Sequence, residues 1–201
     1  VPVNDDNAKG PNTMTATTTL DAERGDLLAQ LADARTALTN TIRGLGDERL
    51  GERPTVSELC LGGLVKHVAS MEEQWMRFVV EGPSAMSYDL PDGVTWADFA
   101  SGTAREFPQW AIDHQKDFQM LPGDTSAGIL ARYEQVAART AEIVATVPDL
   151  SATHPLPAAP WHEPGAVRSV RRVLMHVIAE TSQHAGHADI LRETLDGQKS
   201  T

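Results

Sequence analysis

The sequence predicts an all-α fold, a single four-helix bundle with extended loops and a disordered N-terminal segment. Three observations carry that prediction. Four long segments repeat their apolar residues at three- and four-residue steps, none alternates them as a strand would, and stretches rich in Pro and Gly separate them. Long helices that each carry one apolar stripe bury those stripes most simply against one another.

The first helix is expected from about Asp21 to Leu45, with Leu27, Leu31, Ala34, Leu38, Ile42 and Leu45 on one face. Gly46 and Pro54 bracket the loop that follows. The second runs from about Ser57, a plausible N-cap, to Val80, with Leu61, Leu64, Val65, Val68, Met71, Trp75 and Phe78 as its stripe. Gly62 and Gly63 inside it cost roughly 1 kcal/mol each relative to Ala, which close approach of another segment would offset. Residues 83–123 read as a loop followed by one or two short helices around Trp96, Phe99, Phe107 and Trp110. Asp124 or Thr125 caps the third long helix, whose stripe is Ile129, Tyr133, Val136, Thr140, Ile143 and Val147. A proline-rich connection, Pro148 to Pro164, favours extended surface backbone. The fourth helix is expected from about Val167 to Leu195, with Gly197 as its stop signal.

Composition narrows the function classes. The 17 basic and 28 acidic residues leave a net charge of −11, which repels phosphate backbones and anionic membrane surfaces and excludes nucleic acid as a general partner. Cys60 is the single cysteine, so there is no intrachain disulfide and no Cys-rich metal site, in keeping with the cytoplasm. No apolar run approaches the roughly 18 residues of a membrane span, and the polar N-terminus lacks the layout of a signal peptide. Residues 1–16 are expected to be a flexible segment, of which 1–13 precede Met14 and read as added or linker residues, a native disordered arm being the alternative. The bundle domain is expected to span 17–198.

The chemistry concentrates on the last helix. His176, Glu180, His184 and His187 fall at steps of four, four and three, so at about 100° per residue they share one strip beside the apolar face. Ionisable groups there need partners, and a divalent metal is one such partner. Imidazole and carboxylate suit borderline ions, zinc first by ligand type, with nickel or another first-row metal also accommodated. A third donor must come from another helix, and His67, at the edge of the second helix's stripe, is the candidate. The plainer alternatives are a hydrogen-bonded structural His67, a helix-face ion pair of Glu180 with Arg172, His176 or His184, and a supporting role for His187.

The segments LGGLVKHVASMEEQW and HVIAETSQHAGHADILRE resemble the DinB-like superfamily, and more narrowly its actinobacterial branch near the mycothiol-dependent maleylpyruvate isomerases. The resemblance covers about Thr17 to Gly197. It implies a four-helix bundle whose metal is held by one His of the second helix and a pair spaced by four in the last, here His67, Glu180 and His184. Glu180 stands where many relatives have His, and matches the isomerase-like members. His187 corresponds to a frequent family histidine expected to line the pocket. Residues 83–123 look like a lengthened loop able to cover or reshape that pocket.

The function so implied is a metal-dependent enzyme that uses a low-molecular-weight thiol, mycothiol or a relative, as cosubstrate for S-transfer, conjugation or isomerisation of an electrophilic substrate. His187 and His176 are the candidates for orienting ligands or shuttling protons, and Trp161 with Trp75 for the pocket wall. The competing classes are a non-catalytic, metal-stabilised stress or scaffold bundle and a metal-dependent hydrolase. For the latter, Glu72 is a poor base, because five residues after His67 it faces about 140° away. Cys60 reads as a packed core residue. An exposed apolar helix face would allow a homodimer.

Overall fold

A computed structural model describes residues 20–199. The expected flexible segment 1–16 lies outside them. Six α-helices are present among the described residues: α1 (Ala22–Asn40), α2 (Leu61–Glu81), α3 (Trp96–Ser101), α4 (Gln109–Asp117), α5 (Ser126–Thr146) and α6 (Val170–Asp196). The four long ones form the bundle as a closed ring, with α6 between α1 and α2 and α5 packed against α2 and α1. The apolar stripes meet inside, through Leu38, Leu64, Val68, Tyr133 and Ala188 at one end and Leu31, Phe78, Val144, Val173 and Val177 at the other.

The helix ends show what local pattern can and cannot specify. Asp21 and Thr125 cap α1 and α5 through their side chains, as the sequence suggests. Gly197, with φ 79°, ends α6 in the left-handed conformation. The expected cap at Ser57 is displaced: α2 begins at Leu61 after Cys60, while the Ser57 hydroxyl accepts from the Leu59 amide within a turn. The amide of Gly62 instead donates to the Leu50 carbonyl at 2.9 Å, so a distant loop satisfies the helix start. Helix α1 is also shorter than expected and gives way to turns after Asn40.

Arginines from neighbouring helices close two C-termini. Arg192 donates to the Thr41 carbonyl at the end of α1 (2.6 Å), and Arg24 donates to Val144 and Val147 at the end of α5 (3.0 and 2.8 Å). Each satisfies carbonyls that the helix leaves orphaned and places positive charge at the negative end of the macrodipole.

The sequence shows no strand alternation, yet Thr153–Pro155 and Val167–Ser169 pair as two short antiparallel strands, β1 and β2, with His154 opposite Arg168. Helix α6 therefore starts at Val170, capped by the Ser169 hydroxyl, rather than at Val167. Residues 83–123 contain the two short helices α3 and α4, and α4 packs on α2. Cys60 is buried in the core.

Candidate functional site

Three helices build one trough. Helices α2 and α6 run antiparallel along its floor, since His67 meets His184 at 4.9 Å between ring centroids and Trp75 meets His176 at 4.9 Å. Helix α4 lies across them and repeats aromatic and imidazole rings at four-residue steps, Trp110, His114 and Phe118. Phe118 stacks on His67 at 3.9 Å, and His114 meets the same ring edge-on at 5.2 Å. The cleft has a volume of about 890 Å³ and is walled by His67, Trp75, Tyr88, His114, Trp161 and His176, with Glu180 on its floor.

Small residues and long-range hydrogen bonds seat α4. A Cβ on Gly63 would collide with the backbone of Phe118, so the expected close approach at the glycine pair is the contact of α2 with the C-terminus of α4. Lys66 holds the following loop by donating to the Gln119 carbonyl at 2.7 Å and pairing with Asp124.

The polar groups of the trough are partly stripped of water. His67 is 7% exposed, and its ring makes no hydrogen bond among the described residues. Burial, reinforced by His184 and His114 nearby, lowers its pKa to about 3, so the ring is neutral at any physiological pH and keeps a free lone pair. Burial also lowers the pKa of His184, against the opposing pull of Glu180, whose carboxylate lies 3.7 Å from the His184 Nε2. The pKa of His176 is lowered by burial, with Arg168 and Arg172 adding to the effect and Glu180 opposing it.

His67, His176 and Glu180 line the cleft, and His184 meets His67 beside it without being one of its lining residues. Trp75 and Trp161 line its wall, Trp161 standing 53% exposed against Tyr88 and Trp110. His187 is exposed, with its Nδ1 3.5 Å from that of His184, and it is not among the cleft's lining residues. His114 is the residue that sequence reasoning missed. Its signal was present in the i, i+4, i+8 run Trp110, His114, Phe118. The two remaining histidines, His154 and His162, bond to backbone carbonyls of Val79 and Pro157 at 3.2 and 3.0 Å.

The donors suit a divalent ion by kind: two neutral imidazoles, one buried without a hydrogen-bond partner among the described residues, beside a carboxylate. They neighbour one another in pairs without converging. Among the described residues no group of three His, Cys, Asp or Glu side chains is arranged to hold a metal ion. Nor, among these residues, is any helix long and apolar enough to cross a membrane.

An all-α bundle with histidines along the cleft between its second and last long helices is the architecture that the DinB-like resemblance implies. The profile of the mycothiol-S-transferase family matches residues 26–197, most of the chain, and the chain belongs to that family. No curated protein and no solved structure gives a match.

Proposed function

We propose that the chain transfers a low-molecular-weight thiol of the mycothiol type to an electrophilic small molecule in the α2–α4–α6 trough, with a divalent metal held by His67, Glu180 and His184. One observation carries this reading: a neutral imidazole on the wall of an open cleft, without a protein hydrogen bond among the described residues, meets a second imidazole that in turn neighbours the Glu180 carboxylate. Because His67 lines the cleft and makes no hydrogen bond to the described residues, its ring is open to a ligand that enters there. The family membership supports the thiol.

With a substrate R′–X, R–SH gives R–S–R′ with the thiol proton and X⁻ released; with an epoxide or enone the thiol adds and the product's alkoxide or enolate takes up the proton. The ion would supply Lewis acidity that favours the thiolate near neutral pH. His114, exposed on the cleft wall beside His67, is placed to accept the thiol proton on a ring nitrogen and pass it to water. The indoles of Trp75, Trp110 and Trp161 and the Tyr88 ring give the electrophile an apolar wall and keep water from it. The hydrolytic alternative loses Glu72 as its base: that carboxylate is fully buried on the far side of α2, bonded to Arg35 and Thr140.

The test combines elemental analysis with thiol consumption. Wild-type protein is expected to carry about one divalent ion per chain and to consume mycothiol in the presence of an alkyl halide, epoxide or enone. His67→Ala and His184→Ala are expected to lose both properties. Stoichiometric metal in both variants would overturn the donor assignment, and thiol loss no faster than the spontaneous rate would overturn the transfer.

A further inference from the structure

We infer that the outer face of α6 pairs with the same face of a second copy of the chain, antiparallel about a two-fold axis between Ser182 and Gln183. This pairing does not depend on the proposed reaction. The exposed residues of α6 fall into pairs equidistant from that midpoint. Ser182 and Gln183 flank it, Ala179 answers Gly186, Met175 answers Ile190, and Arg172 answers Glu193. At about 100° per residue, these eight positions share a strip about 100° wide. Of the exposed residues between Arg172 and Glu193, only His187 lies off the strip, on the side of His184.

A two-fold axis makes an interface isologous, so the patch must match itself when reversed. Reversal here sets large apolar against large apolar, small against small, and cation against anion. Met175 and Ile190 are 58% and 62% exposed, and meeting across the axis would take both out of water. The Arg172 guanidinium makes no hydrogen bond or ion pair among the described residues, and Glu193 pairs only with the exposed Lys199, at 3.1 Å. Within one chain Arg172 and Glu193 stand about 32 Å apart along the helix, so only a second copy brings them together. The chain carries a net charge of −11, yet this strip is charged only at its two ends and with opposite signs. Two copies therefore meet there without the repulsion that acidic surfaces would bring.

Two local features point to the close approach of another helix. Gly186 lies inside α6 although glycine disfavours a helix, and a Cβ there would meet nothing within 4 Å among the described residues. Gly63 shows the contrast, because there the Phe118 backbone fills the space. Ala179 and Gly186, small residues on either side of the axis, let two helix axes approach to about 8 Å. The Ser182 hydroxyl is turned back onto the Ile178 carbonyl at 2.8 Å and needs no partner across the axis. Second, a groove of about 660 Å³ runs between α1 and α6 at the Met175 end, with Leu27, Met175, Ile178 and Ala179 among its walls. Antiparallel pairing lays Ile190 of the second copy over that groove, and symmetry repeats the contact at the other end.

Sedimentation velocity over a concentration series tests the pairing on the whole chain. The 21.7 kDa chain is expected to shift toward twice that mass as its concentration rises. Gly186→Leu and Ile190→Glu, both at exposed positions, are each expected to leave a monomer at every concentration, with circular dichroism like that of the wild type. Arg172→Glu and Glu193→Arg are each expected to weaken association about tenfold, and the doubly reversed chain to recover it. That recovery is specific to the antiparallel register, since the two positions cannot meet within one chain. A wild type that stays monomeric up to about 0.5 mM would overturn the inference, because even weak specific pairs form by then. A dimer that survives both Gly186→Leu and Ile190→Glu would place the contact on another face and overturn it as well. A double reversal no better than the single ones would overturn the register. Thiol transfer and metal content are read separately, so their loss would count against the proposed function alone.

Discussion

His67 and Glu72 are buried polar residues five positions apart on α2, and they occupy opposite environments. Glu72, fully buried, receives both Nε and Nη2 of Arg35, the former at 3.0 Å, together with the Thr140 hydroxyl. His67 receives nothing from the described residues except ring contacts with Phe118, His114 and His184. Glu72 loses its water entirely and recovers the loss inside the protein, whereas His67 keeps an edge on the cleft. The far face of α2 thus pairs its buried charge within the protein. The trough face leaves the His67 ring open to a ligand from the cleft.

The contrast breaks most severely at the network. Glu72→Ala leaves the Arg35 guanidinium largely buried and unpaired, and is expected to lower unfolding free energy by about 3–5 kcal/mol in urea titrations. A loss below about 1 kcal/mol would mean that the network is not structural. Gly63→Ala tests the seat of α4. The methyl group meets the Phe118 backbone, and the expected loss is about 1–3 kcal/mol, less the helix-propensity gain. His67 should respond as well, because Phe118 is its stacking partner. An unshifted His67 imidazole resonance in that variant would detach α4 from the site.

The smallest effect concerns pH in metal-free protein. The folded pKa of His67 is depressed to about 3 from an ordinary 6.5, so between these values the unfolded chain binds the additional proton. Stability from this group is therefore fully present above about pH 6.5 and is lost on acidification, by up to about 1.4 kcal/mol per pH unit. His67→Leu should flatten that part of the stability profile while leaving neutral-pH stability within about 1 kcal/mol. Identical acid profiles for wild type and variant, measured with chelator present, would show that His67 is not desolvated.

Much of this was readable before any coordinates. Most of each apolar stripe on the four long helices is buried as its periodicity requires, and Thr125, Asp21 and Gly197 act at helix ends as their residue types suggest. The errors share a cause. Ser57 has the chemistry of a cap, but the carbonyl of Leu50 already serves the start of α2. Val167–Ser169 carry no local strand signal, because their partner strand lies twelve and more residues away, in a proline-rich stretch without alternation. His114 was passed over because α4 is short and its stripe makes sense only once it crosses α2.

The sequence by itself determined the helices, the strip His176, Glu180 and His184, and the orientation of Glu72 away from His67. These follow from backbone periodicity, which links residues a few positions apart. Only the tertiary structure decided that His67 meets both His114 and His184, that Phe118 stacks on His67, and that His187 does not line the cleft. Those relations depend on how separate helices pack, through non-local contacts that no local spacing encodes.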